Sequence, residues 1–206
     1  MCDIYLNLDD NKIKDIIDKN KFEWLSNRCK SLGVVPENSN VVDLGSGHGQ
    51  NTLGLSLHFK NVYGVEPSGK MLKYARNLRD KVRKYHKISN VRFYIGNFGN
   101  IPIKHIDVLC LFNSVHYSRK VVEDFIYMLS VIVGNGILVI SEPHNKSIFG
   151  SELMKNSMNL KKKLKRLEIT RNEIKKFIKW CGKYNKASII VEKETSIQYL
   201  VIIQKL

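Results

Sequence analysis

Two hydrophobic patterns alternate along most of this chain. Unbroken apolar runs of strand length stand at VVDL (41–44), VYGVE (62–66), VRFYIG (91–96), IDVLCLF (106–112) and ILVIS (137–141). Between them Thr52–Phe59, Gly69–His86 and Lys120–Val133 carry helical patterning, while the connector Phe98–His105 holds Pro102 and allows at most a turn or two of helix. Buried runs alternating with helices predict βαβ units and a parallel sheet covered on both faces.

The two ends depart from this rhythm. Asp9 or Asp10 can cap a helix from about Asn11 to Leu32, with Ile13, Ile16, Ile17, Trp24 and Leu25 at roughly helical spacing and Gly33 as a stop. A helical region from Ser151 to Cys181 leads into ASIIVEK (187–193) and QYLVIIQ (198–204), separated by too few residues for a crossover helix. Those two runs must pair as an antiparallel hairpin. The fold class predicted is α/β: a doubly wound sheet of seven strands, mostly parallel, closed by an antiparallel C-terminal hairpin strand. No repeat or linker divides the chain. Residues 1–206 are read as one domain, with an N-terminal helical segment (1–36), a core (40–145) and a basic helical region plus hairpin (151–206).

Composition adds limits. At 206 residues, 43% apolar and 26% charged, the chain can bury a substantial core and is not disordered throughout. No run reaches the roughly 20 apolar residues of a membrane span, and MCDIYLNLDDNKIK is not patterned as a secretory signal. Cys2, Cys29, Cys110 and Cys181 stand singly, which argues against a disulfide framework or a zinc site and for a reducing, cytoplasmic setting. The net charge is +15, of which +9 falls between Ser151 and Lys186. That stretch reads first as a solvated lysine-rich face, with attraction of RNA, an anionic membrane surface or an acidic substrate as the functional alternative.

The first strand runs directly into Gly45-Ser46-Gly47-His48-Gly49 before a helix resumes. Glycines there let backbone turn sharply and approach a ligand at the carboxyl ends of the strands. The spacing is G-x-G-x-G, whereas the dinucleotide fingerprint would put its third small residue at Gln50. Glu66 ends the next strand, 21 residues after Gly45, where a carboxylate can accept from both hydroxyls of a ribose.

The stretch VVDLGSGHGQNTLGLSLHFKNVYGVEPSGKMLKYAR resembles the first two motifs of the class I S-adenosylmethionine-dependent methyltransferases, and the likeness extends to about Ser141 and the terminal hairpin. The chain resembles the small-molecule members of ubiquinone- and trans-aconitate-methyltransferase type, which often carry a histidine where His116 stands. The resemblance implies a Rossmann-like sheet and S-adenosylmethionine as cofactor. It also implies that Gly45, Ser46, Gly47 and Gly49 pass beneath the methionine and ribose. Asp43 would orient the loop or meet the methionine ammonium, and Glu66 would hold the ribose. Pro67 and Met71 would flank the adenine. Asn97 stands where the family usually has an acid and would accept from the adenine amine, with Phe98 on the ring and Asn113 at the methionine end. Tyr5 belongs to a segment that often forms a lid over the substrate.

Methyl transfer demands that the acceptor be positioned and, for O or N, relieved of a proton. Past the fourth strand the chain reads Phe112-Asn113-Ser114-Val115-His116-Tyr117. His116 is the candidate base, with packing against cofactor or capping of the next helix as its structural alternative. Tyr117 is a candidate wall of the acceptor pocket. No Asn/Asp-Pro-Pro-Tyr, no Pro-Cys nucleophile and no paired glutamates occur, with only Glu142 nearby. Asn113 occupies the place where a magnesium site would need a carboxylate, so no metal is expected. The function expected is methyl transfer to a small-molecule acceptor. Alternatives are an RNA methyltransferase that uses residues 151–186, and a catalytically inactive cofactor-binding partner protein.

Overall fold

The computed structural model describes residues 10–143, 158–195 and 198–206. Strands β1 (Asn40–Leu44), β2 (Asn61–Glu66), β3 (Val91–Ile95), β4 (Ile106–Phe112) and β5 (Ile132–Pro143) run parallel. With β6 (Ala187–Glu194) and β7 (Gln198–Lys205) they form one seven-stranded sheet in the order β3-β2-β1-β4-β5-β7-β6. β7 is antiparallel to both of its neighbours, so the parallel pattern breaks at the closing hairpin. All seven strands fall on the apolar runs, and the fold class is the one the pattern predicts.

Strand alternation sorts the core into two layers. Val41, Val108, Cys110, Ile137 and Val139 face one side, where helices α1 (Asp10–Ile16), α2 (Glu23–Ser31), α3 (Gln50–Leu55) and α4 (Gly69–Tyr85) cover them. Val42, Leu44, Leu109, Leu111, Leu138 and Ile140 face the other, under α5 (Val121–Val131) and α6 (Met158–Tyr184). On α4 the buried residues Leu72, Ala75, Leu78 and Val82 make the inward stripe, and the Ser68 hydroxyl caps the helix by accepting from Met71 N–H.

Two expectations need correction. The single helix over 11–32 is two helices separated by a 3₁₀ turn, Lys19–Phe22, because the Asp18 carboxylate accepts from Asn20 N–H and starts a new turn. That break drops Phe22 into the core, 5.4 Å ring to ring from Phe112. The segment 10–36 is therefore built into the protein, with Ile13, Ile16, Leu25 and Cys29 buried. β5 starts five residues early: Ile132 pairs with Ile106, the chain bulges around Asn135 in a left-handed conformation, and Ile137 rejoins opposite Val108. Basic charge also stands outside the C-terminal region. α4, which packs against β2 and the edge strand β3, carries seven Lys or Arg against Asp80 alone. No helix among the described residues is long and apolar enough to cross a membrane.

Candidate active site

At the carboxyl ends of β1, β2 and β4 the chain leaves a cavity of about 770 Å³. Its floor is the turn after β1. Gly45 and Ser46 donate their N–H groups to Val65 O at 2.8 and 3.1 Å, which lashes the turn to the end of β2. Gly45 takes φ +77°, and a Cβ on it would lie 2.5 Å from the Ser114 Cβ. Gly49 takes φ +87°, with room for a Cβ denied by Phe93 at 2.7 Å and Ala75 at 3.0 Å. The third glycine thus lets the turn sink between β3 and α4, the reason its position at 49 matters.

Glu66 closes one wall. Its Oε2 accepts from Gly47 N–H and its Oε1 from Ser68 N–H, both at 3.0 Å. Both oxygens are thus fixed by backbone, and each keeps further acceptor capacity. Pro67, Met71, Asn97 and Phe98 line the space beyond it. The Asn97 Oδ1 already accepts from Gly99 N–H at 2.9 Å, inside a small turn closed by reciprocal Asn97–Asn100 backbone bonds. Asp43 is not on the wall. It is buried behind the glycine turn, where its Oδ2 accepts from the Thr52 hydroxyl at 2.6 Å. Burial pushes its carboxyl up from 3.8 to about 6, against the opposing Thr52 bond and the Lys21 charge.

The turn after β4 forms the opposite wall with Phe112, Asn113, Ser114 and Tyr117. Asn113 sits at φ +56°, uncommon for a residue with a side chain, and is held there by its N–H donating to Ser141 O at 2.8 Å. The Ser114 hydroxyl donates to Leu44 O at 2.9 Å. Tyr117 is 74% exposed, a large ring at the cavity with little protein around it. His116 is not on this wall. Its ring lies 4.2 Å from the Tyr117 ring, and its Nδ1 is 2.8 Å from Oε2 of the buried Glu142. Tyr5, His144 and Asn145 lie outside the described residues.

A family model described as "Methyltransferase domain" matches residues 36–194. The chain belongs to this methyltransferase family. The methyltransferase fold recurs in solved structures. One is a SAM-dependent methyltransferase from Aquifex aeolicus, 18% identical with a TM-score of 0.64, covering 97% of this chain and 100% of that one. Another is magnesium protoporphyrin IX methyltransferase from Synechocystis PCC 6803 with bound SAH, 15% identical with a TM-score of 0.63, covering 98% and 91%. Among curated proteins, a 23S rRNA (uracil(1939)-C(5))-methyltransferase of Francisella tularensis is 33% identical over 97 residues. That match covers 47% of this chain and 20% of the relative's length.

S-adenosylmethionine is the methyl donor of this family, and the cavity fits it. The methyltransferase has on this cavity a carboxylate, Glu66, held in a fork by two backbone N–H groups, and a floor on which Gly45 and Gly47 stand at positive φ without side chains; Gly49 lies outside the lining, wedged against Phe93 and Ala75. Six wall residues, Leu44, His48, Gln50, Asn51, Phe112 and Ser114, were not singled out from the sequence. His48 was visible inside the glycine motif; burial and the Lys21 charge hold its imidazole below the ordinary range. Ser114 and Glu142 had no local signal, since their partners lie 70 and 27 residues away.

Proposed function

We propose that this methyltransferase places S-adenosylmethionine over the glycine turn and transfers its methyl group to a small-molecule acceptor seated against Tyr117. Bound there, the cofactor supplies a methyl group on a positively charged sulfur. Glu66 holds the ribose, the backbone of Gly45, Ser46 and Gly47 underlies ribose and methionine, Gly49 seats that turn against β3 and α4, and Asp43 stiffens it from behind. Pro67, Met71 and Phe98 enclose the adenine, Asn97 offers its remaining acceptor capacity to the ring amine, and Asn113 meets the methionine end. Tyr117 presents its ring to the acceptor, and His116, one ring further back, takes the proton. An acceptor that turns the exposed Tyr117 ring aside reaches the imidazole.

The observation that carries the small-molecule reading is the chemistry of the wall. Among the described residues no Lys, Arg or Cys lines the cavity. A phosphate-bearing acceptor calls for cationic side chains at the site. Thiolate attack on a pyrimidine ring calls for an accessible, ionisable cysteine. Cys29, Cys110 and Cys181 are instead buried, and burial pushes the thiols of Cys29 and Cys181 up to about 12 and about 11. The magnesium protoporphyrin IX methyltransferase that shares this fold acts, by its name, on a small molecule. The curated rRNA relative and the basic surface favour the second reading, an RNA acceptor. Against it stands the comparable basic charge of α4, on the other side of the sheet.

The test is methyl transfer from labelled S-adenosylmethionine to a panel of small hydroxyl and amine acceptors, run beside total RNA. Label appearing in small molecules supports the proposal; label found in RNA alone refutes it. His116→Ala should reduce turnover while leaving stabilisation by S-adenosylhomocysteine intact.

A further inference from the structure

The wall turn after β4 is pinned by a residue that the reading above leaves without a task. Glu142, at the end of β5, is 4% exposed and has both carboxylate oxygens engaged by that turn. Its Oε1 accepts from Val115 N–H at 2.7 Å, and its Oε2 faces His116 Nδ1 at 2.8 Å. From the other side, Arg166 on α6 donates through Nε to His116 O at 2.9 Å. Among the described residues, the charged or titratable groups facing His116 are Glu142 from β5, Tyr117 from its own turn and, at the backbone, Arg166 from α6.

An ionised carboxylate only accepts hydrogen bonds. The proton of a neutral His116 must then sit on Nδ1, which leaves the lone pair on Nε2. We infer that Glu142 is a positioning residue: it fixes His116 in the tautomer whose Nε2 can take a proton, and it supplies the anion that balances the charge afterwards. The inference rests on the methyltransferase reading with His116 as base. It narrows the acceptor to a hydroxyl or amine that gives up a proton.

The charge balance gives the physical reason. The acceptor oxygen or nitrogen bonds to the methyl carbon as the carbon–sulfur bond breaks, its electron pair staying on sulfur. The acceptor's proton passes to His116 Nε2. One positive charge disappears from sulfur and one appears on the imidazole, whose side chain is 10% exposed. An isolated imidazolium in so dry a place is costly, and a hydrogen-bonded carboxylate next to it removes most of that cost.

The experiment is a long-range proton–nitrogen correlation spectrum of the full chain labelled with ¹⁵N-histidine, recorded near pH 8, with His116→Gln to assign one of the six histidines. Wild type should show His116 with its proton on Nδ1. A proton on Nε2 overturns the proposal, and this needs no variant at Glu142. In E142Q the ratio should move toward Nε2–H by about tenfold, the loss expected for a bond to a charged acceptor; an unchanged ratio also overturns it. Stabilisation by S-adenosylhomocysteine is measured on the same samples. If that fails while the tautomer is as stated, the cofactor reading is wrong and the role of Glu142 in fixing His116 stands. With an acceptor in hand, E142Q should lower kcat about 100-fold at unchanged KM for the cofactor; an unchanged kcat sinks the catalytic part.

Discussion

Glu66→Gln isolates the contact proposed to hold the ribose of the cofactor. In the protein both carboxylate oxygens accept a backbone N–H at 3.0 Å, from Gly47 and from Ser68. A glutamine keeps the shape, yet its amide nitrogen must face one of those donors, and the charge that strengthens the bonds to the two ribose hydroxyls is gone. Bonds to charged groups contribute about 1.5–3 kcal/mol each, so losing the charge at two of them weakens cofactor product by about 2–4 kcal/mol, on the order of 100-fold or more. Thermal unfolding reads this directly. At a ligand concentration of about 100 Kd, S-adenosylhomocysteine adds about 2.7 kcal/mol, which for a chain of this size raises Tm by roughly 5–10 °C. At the same concentration the variant gains about 0.4 kcal/mol, or roughly 1 °C. NAD should move neither protein. An equal shift in wild type and Glu66→Gln would mean that the carboxylate does not hold the ligand, and the ribose assignment would fall.

Three further outcomes follow from the geometry. Asp43 has its carboxyl raised from 3.8 to about 6 by burial, so the folded state binds a proton that the unfolded chain has released. The associated stability is present below pH 3.8 and is lost as pH rises through about 6. It amounts to about 3 kcal/mol. Asp43→Asn should flatten urea-measured stability across that window, and a variant with the wild-type slope contradicts the assignment. Gly49→Ala places a Cβ 2.7 Å from Phe93 at φ +87°, so unfolding should show a loss of about 1–3 kcal/mol; a neutral result would mean the turn is not wedged there. If the basic surface tracks RNA, log affinity should fall linearly with log salt at a slope near −0.7 per phosphate contact. Weak binding without that slope leaves the small-molecule reading in place.

The strands, the parallel order up to β5 and the closing hairpin were legible because each rests on local information. A buried strand is a short apolar run, and a gap too short for a helix forces an antiparallel partner. The glycine turn and Glu66 were legible for the same reason, since backbone freedom and a strand-end acid are written within 26 residues of chain. The break at Asp18 was harder, because a capping carboxylate and a helix-favouring pattern compete locally and the burial of Phe22 against Phe112 decides between them.

By itself, then, the sequence determined the fold class, the glycine turn and the family. Only the tertiary structure decided which polar side chains act together. It placed Asp43 behind the loop, set His116 between Tyr117 and Glu142, and left Tyr117 on the cavity wall. The physical reason is range. Helix, strand and turn preferences act over a few residues, whereas Val115 and His116 meet the Glu142 carboxylate through the packing of β4 beside β5, which no local pattern encodes.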